Sequence, residues 1–287
     1  MMTGGNQNAS LRKGVNLFVF TLTGISITLT IGILCFLLLY ILYMGLPALT
    51  FSFFTESPRS VGEGGGGIAH AIVGTLKLLG IAILIACPVG FLGGIYLSEF
   101  GHRSRIAYSV RYAADVLTGI PSIVIGIFAY TVFVLPLKHF STLAGGISLS
   151  IILLPIVLKG TEEFLRLVPS SLREAGLALG MAQWRMILTI IVPSAFSGIL
   201  TCMMLGVARV AGETAPLLFT AFGNQYWSSG WLEPTASIPV IIYTYSISPY
   251  QEWQQQAWAA GTVLLLLVFF ANIFSRIVLG RQEKAAR

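Results

Sequence analysis

Arg209 and Glu213 stand four residues apart in the stretch VARVAGETAPLL (Val207–Leu218), and the chain on either side of it is apolar. A guanidinium stays charged at any physiological pH. Its planar fork of donors fits a carboxylate or a phosphate group through two parallel hydrogen bonds. A neighbouring carboxylate can hold that fork in place and compete with a travelling anion when the anion must leave. In a continuous helix a spacing of four puts both side chains on one face, within pairing distance. Ala208, Ala211, Gly212 and Ala215 keep that surface small, leaving room for a second helix or a solute. Pro216 removes a backbone donor in the next turn and favours a kink. Two readings compete: an ion pair that fixes helix packing, or a point on an anion path. Buried pairs often add no net stability, because desolvation offsets the attraction. A hydrophobic pair would pack as well, so the path is the stronger reading.

The elements that carry this pair are built for lipid. Of 287 residues, 55% are hydrophobic and 10% charged, against about 25% charged in soluble domains. The mean hydropathy is +0.84. The expected fold class is therefore all-α, a polytopic membrane protein. Stretches near 16–45, 70–98, 113–137, 143–159, 187–222 and 257–279 each reach the roughly 17–25 residues that span a bilayer core. They predict six transmembrane helices. The first apolar run is longer than the ~7–15 residues of a signal-peptide core and is expected to stay as an uncleaved span. Basic residues collect on the cytoplasmic side of such proteins. With the N-terminus inside, thirteen of the seventeen basic residues fall inside: Arg12, Lys13, Arg103, Arg105, Arg111, Lys159, Arg166, Arg173, Arg185, Arg276, Arg281, Lys284 and Arg287. Only Arg59 and Lys138 fall outside, while Lys77 and Arg209 lie within spans, so the expected topology is N-in, C-in. The net charge of +6 is spread between spans rather than gathered in a patch, which argues against nucleic acid.

The remaining singular residues carry less. Cys35, Cys87 and Cys202 lie far apart in apolar spans, and His70, His102 and His139 share no metal spacing, so no metal site is expected. The glycine-rich SVGEGGGGIAH (Ser60–His70) lacks the Lys-Ser/Thr of a nucleotide-binding P-loop and reads as a flexible external connector. The external segment 223–256 holds Tyr226, Trp227, Trp231, Tyr243, Tyr245, Tyr250 and Trp253. An aromatic belt at the headgroups and a docking surface for an external partner both remain open. Within it SIPVIIYTYS (Ser237–Ser246) is apolar but too short to span, hence re-entrant or interfacial. Lys77 is expected to snorkel toward the headgroups, with anion attraction as the weaker reading. Glu99 and Asp115 are expected to pair with Arg103, Arg105 or Arg111. Pro88, Pro121 and Pro155 are expected to kink their spans.

The internal loop 160–186, GTEEFLRLVPSSLREAGLALGMAQWRM, is more informative. After Pro169, Ser171 and Glu174 are three apart, a capping-box pattern. Gly180 stands where a glycine would end a helix of about two turns. A short, rigid cytoplasmic helix in a connecting loop is something for another protein to grip. The spacing Glu174-Ala175-Gly176, three residues, Gly180, nine residues, Ile190-Ile191-Val192-Pro193 resembles the cytoplasmic loop motif of the integral subunits of ATP-binding-cassette (ABC) importers. Gly176 replaces the usual second Ala, at about 1 kcal/mol of helix propensity, and Val192 replaces Leu.

That resemblance implies that Arg173, Glu174, Ala175, Gly176 and Gly180 belong to a coupling helix that docks on a separate ATPase subunit. AIVGTL (Ala71–Leu76), GIYLSEF (Gly94–Phe100), GIPSIVIGIF (Gly119–Phe128), GETAPLLFTA (Gly212–Ala221) and SIPVIIYTYS are similar to the permease subunits of the high-affinity phosphate importer, of the PstA type. The resemblance implies a type I ABC importer permease fold and phosphate as substrate, with Arg209 and Glu213 on its path. It also implies a sister permease (PstC-like), an ATPase homodimer (PstB-like) that uses ATP and Mg, and an external phosphate-binding protein (PstS-like). The chain itself is expected to bind no cofactor and to catalyse no reaction. Its place is the bacterial inner membrane, in contact with lipid. Residues 1–69 form an N-terminal tail, first helix and external loop, and 70–287 the importer core. A self-sufficient secondary anion transporter or channel, and an ABC permease for another oxyanion, are the alternatives.

Overall fold

The structure, a computed structural model, describes residues 5–59, 65–101 and 104–285. His102, Arg103, Arg287 and residues 60–64 of the glycine-rich loop lie outside the described residues. Among those described, regular structure is helical, apart from one isolated bridge between Phe222 and Thr235. Besides single helical turns at Leu46–Ala48 and Phe51–Thr55, the helices are α1 (Gly5–Gly45), α2 (Ala69–Phe100), α3 (Arg105–Gly119), α4 (Ser122–Leu137), α5 (Thr142–Arg166), α6 (Ser170–Ala178), α7 (Gln183–Ala211), α8 (Ala215–Thr220), α9 (Ile238–Ser246) and α10 (Gln251–Ala285). Five are long and apolar enough to cross a membrane. The pair α3 and α4, bent by 105°, makes a sixth when counted as one broken span.

The breaks follow the prolines and glycines. Pro121 disfavours helical geometry at Ile120, whose backbone is extended at φ −73°, ψ 130°. The span read as 113–137 is therefore two helices. The span read as 187–222 is also two, because α7 ends at Ala211 and α8 begins at Ala215. Helices α2 and α5 continue through Pro88 and Pro155. Two prolines, Pro136 and Pro193, each follow a widened π-turn, at Tyr130–Val134 and Ile187–Ile191. A wider turn accommodates a ring that cannot donate to the preceding turn.

The bundle centres on α2 against α5. Leu78, Ala82, Ala86, Leu149, Leu153 and Val157 share one buried cluster with Val210 and Leu217. Close approach needs glycine at the crossing. A Cβ built on Gly94 would stand 2.5 Å from Thr161 Cβ and 2.8 Å from the Leu158 carbonyl oxygen. Gly80 on the same helix has nothing within 4 Å. Gly94→Ala is expected to destabilise the protein by about 1–3 kcal/mol through overpacking. Gly80→Ala should instead gain up to about 1 kcal/mol in helix propensity. The thermal transition of the detergent-solubilised protein checks both signs, and a Gly94→Ala variant as stable as Gly80→Ala contradicts the packing argument.

Helix α1 stands apart, with the most apolar part of its span 0% buried. Its carboxyl end leans on α10, where Tyr40 meets the Trp258 ring edge-on at 5.5 Å and the Thr262 hydroxyl donates to the Ile41 carbonyl at 3.1 Å. The external segment folds over the bundle's outer end. The apolar SIPVIIYTYS forms α9, buried at Ile238–Ile241 and Tyr245 against α2 and α10. Lys77 Nζ donates to the Ser228 carbonyl at 2.7 Å, with the Trp231 ring 5.9 Å away. The ammonium is thus tethered to the external loop rather than left to the headgroups.

Candidate functional site

Arg209 occupies the last turn of α7, and the helix ends two residues later. The Gly212 and Glu213 N–H groups donate to the Arg209 and Val210 carbonyls at 3.2 and 3.1 Å, a tightened final turn. Pro216 then sits in the first turn of α8, where its missing N–H leaves no bond unmade. Glu213 therefore lies outside the helix. Among the described residues, Arg209 and Glu213 form no ion pair, contrary to the one-face expectation. That expectation assumed an unbroken helix, and Gly212 with Pro216 is the signature of a stop and restart that it passed over.

The two residues still meet in space. They line a cleft of about 130 Å³ with Leu117 and Thr118 of α3, Ile120 and Pro121 of the bend, Ser122 and Ile125 of α4, and Ile152 and Ile156 of α5. Ile152 and Ile156 lie roughly 15–21 Å along α5 from Thr142, at 1.5 Å per residue. That depth is near the middle of a bilayer core about 30 Å thick. Both helix breaks, 120–121 and 212–214, open on this cleft, and Gly126 lets α4 approach α8, since a Cβ there would stand 2.8 Å from Pro216 Cα. Arg209 is exposed and Glu213 half-buried. The amino end of α4 at Ser122 adds N–H groups with no acceptor inside their helix. A permanent cation, a carboxylate and a helix amino terminus thus share one mid-depth cleft, which is chemistry for a small anion. Thr118 and Ser122 were not read from the sequence, although Pro121 beside them was.

The cytoplasmic end forms a second candidate site. Helix α5 runs on to Arg166, so the loop read as 160–186 shrinks to 167–182 around α6. The capping box does not form: Pro169 precedes α6, with no side-chain cap. The glycine end does form. Gly180 has φ +74°. Its N–H donates to the Leu177 carbonyl at 2.9 Å and that of Met181 to Gly176 at 3.2 Å, the bond pattern of a Schellman motif. Gly176 is buried, and a Cβ there would stand 2.9 Å from Met186 Cγ, so its lost propensity is exchanged for close packing on α7. Glu174 and Ala175 are exposed. Around them Leu167, Leu177, Leu179 and Trp184 are exposed too, Leu179 at 82%.

Arg173 points the other way. Its Nε and Nη2 donate to the two Glu99 carboxylate oxygens at 3.1 and 2.8 Å, Nη1 to the Val168 carbonyl at 2.7 Å and Nη2 to that of Leu165 at 2.8 Å. The bond to Glu99 raises the guanidinium pKa above its usual value, burial partly opposes the rise, and the Glu99 charge adds to it. Among the described residues Asp115 and Arg111 pair differently from expectation, whereas the expected partner Arg103 lies outside them. Asp115 pairs with Lys159, and Arg111 donates to Glu162 at 2.7 Å, with Arg166 also on Glu162 at 2.6 Å. Apart from Arg166 with Glu162, one turn apart on α5, helix packing brings these partners together across 40 or more positions, which sequence proximity does not show.

Known proteins resemble this chain in sequence and in fold. Residues 88–284 match the family described as binding-protein-dependent transport system inner membrane component. The phosphate transport system permease protein PstA of Haemophilus influenzae is 43% identical over 96% of this chain and 98% of its own length. That of Pasteurella multocida is 42% identical over 97% and 99%. Among solved structures, the inward-facing MetNI methionine ABC transporter has a chain that aligns at TM-score 0.60 and 16% identity, over 75% of this chain and 96% of that one, a likeness of fold. The chain belongs to the inner-membrane components of binding-protein-dependent transport systems and, within them, to the PstA family of phosphate transport permeases, multi-pass proteins of the inner membrane.

Proposed function

We propose that the chain is one half of the membrane path of an ATP-driven phosphate importer. Arg209 is the path's anion contact, and Glu213 is the carboxylate that limits how tightly the anion is held. The observation that carries this is an exposed Arg209 at mid-depth on an open cleft. A charge at that depth costs about 2.5–3.5 kcal/mol unless it faces a polar interior. The cleft therefore faces a second permease rather than lipid, and a sister subunit of the PstC kind closes it. Family membership implies an ATPase partner and a binding protein. Here they are a PstB-like ATPase homodimer using ATP and Mg at α6, and a PstS-like phosphate-binding protein at the exposed aromatic outer face. The exposed Glu174, Ala175 and Leu179 of the glycine-capped helix form the ATPase contact, and this chain supplies no nucleotide site of its own. The chain divides at residue 69, consistent with α1 leaning on the bundle chiefly along its last turns.

Reconstitution tests the reading. Vesicles holding this chain alone are expected to pass no phosphate down a gradient. Uptake should appear only with the sister permease, the ATPase, ATP and the external binding protein together. Gradient-driven flux through the chain alone would instead establish a self-sufficient transporter, and equal competition by sulfate would point to a broader oxyanion permease.

A further inference from the structure

We propose that Glu99 is a positioning residue for transport, the point at which motion of α6 is passed through Arg173 to α2. The inference rests on the coupling reading of α6. The chain joins α6 directly to α5 through Leu167–Pro169 and to α7 through Leu179–Ala182, so those helices follow it covalently. Helix α2 has no such connection, because α6 begins 70 residues after α2 ends.

The Arg173 fork supplies that connection. It reaches both Glu99 oxygens in the widened last turn of α2, together with the Leu165 carbonyl in the last turn of α5 and the Val168 carbonyl in the connection after it. The Glu99 side chain is 4% exposed and also accepts from the Ser98 hydroxyl at 3.0 Å. A carboxylate this enclosed holds its partner in one geometry, and removing Glu99 takes from the Arg173 fork the carboxylate that fixes it to α2. Lysine keeps the charge but lacks the planar fork needed to hold a carboxylate and two carbonyls together. Helices α2 and α5 are the most extensively packed pair in the bundle. Ile156 in the cleft wall lies about 14 Å along α5 from Leu165, at 1.5 Å per residue. Moving the inner ends of α2 and α5 as one body therefore moves the wall facing Arg209, whereas moving α5 alone would shear the pair at Gly94 and at Gly90, where a Cβ would stand 2.9 Å from Val157 Cβ.

The test uses the complete importer in vesicles, with phosphate uptake and ATP hydrolysis measured on the same preparation. Glu99→Ala is expected to lower phosphate moved per ATP at least about tenfold, and Glu99→Gln, which keeps an acceptor oxygen, about threefold. Arg173→Lys should fall between the parent and Glu99→Ala. The ratio is taken per assembled complex, so loss of folded protein does not move it. A ratio unchanged in Glu99→Ala, or uptake and hydrolysis falling in proportion, overturns the link. In the parent, a photo-reactive benzophenone amino acid in place of Leu179 should capture the ATPase subunit. Failure to capture it would overturn the coupling reading and the link with it, whereas capture with an unchanged ratio in Glu99→Ala removes only the link.

Discussion

Arg209→Gln is expected to lower phosphate uptake about a hundredfold per inserted molecule, with the protein still present in the membrane at parental abundance. The substitution removes a charged, two-point hydrogen-bond partner for the anion. Losing such a contact while the neighbouring carboxylate remains costs about 2–5 kcal/mol, and each 1.36 kcal/mol is about tenfold in rate. Arg209→Lys keeps the charge without the fork and should fall between parent and Arg209→Gln. Because Glu213 lies beyond the helix end and is not ion-paired with Arg209, Glu213→Gln leaves the guanidinium where it is. Its defect should be the smaller of the two. The exposure of Arg209 also means that Arg209→Gln removes no buried packing. The decisive comparison is the double variant with apolar residues of similar size at both positions. Normal uptake by that variant would end the case for an anion contact.

Glu174→Lys is expected to abolish uptake, again about a hundredfold, while the chain inserts and α6 still folds. Glu174 projects from the exposed face of α6 and takes no part in its capping, so the reversed charge acts on a docked partner rather than on the helix. A like-charge or unpaired contact in a docked interface costs several kcal/mol. The check is uptake together with the amount of ATPase subunit that co-purifies. Both should fall together, since a charge set against the docking groove weakens assembly before it affects the path. Glu174→Lys with parental uptake would show that α6 meets no ATPase through this face.

Much of this protein is legible from residue type and spacing alone, because water and lipid act on short stretches of chain. Apolar length places the membrane helices wherever no break intervenes, since a spanning segment must meet its own hydrogen bonds and bury itself in oil. The motif from Glu174 to Pro193 locates α6 and its glycine end, because a left-handed residue after a helix is a local steric demand that glycine meets best. Pro121 marks a bend for the same local reason, and SIPVIIYTYS announces a helix too short to span. The capping box failed because Pro169 already starts α6, leaving Ser171 inside the helix rather than before it.

Other features depend on what arrives from far along the chain. Pairing Arg209 with Glu213 by their spacing assumed that the helix continues. The turn at Gly212 and the packing of α8 between α4 and α5 decide that it does not. The cleft exists only because two broken spans, 120–121 and 212–214, meet beside the middle of α5, and no stretch of sequence contains both. The charged partners Glu99 with Arg173, Arg111 with Glu162 and Asp115 with Lys159 are likewise products of helix contact. Charge attraction has no sequence period, so an acid pairs with whichever base the packing of apolar faces delivers to it. Helix, span and cap are local consequences of the solvent, whereas which charge faces which, and where a path opens, is set by how the helices pack.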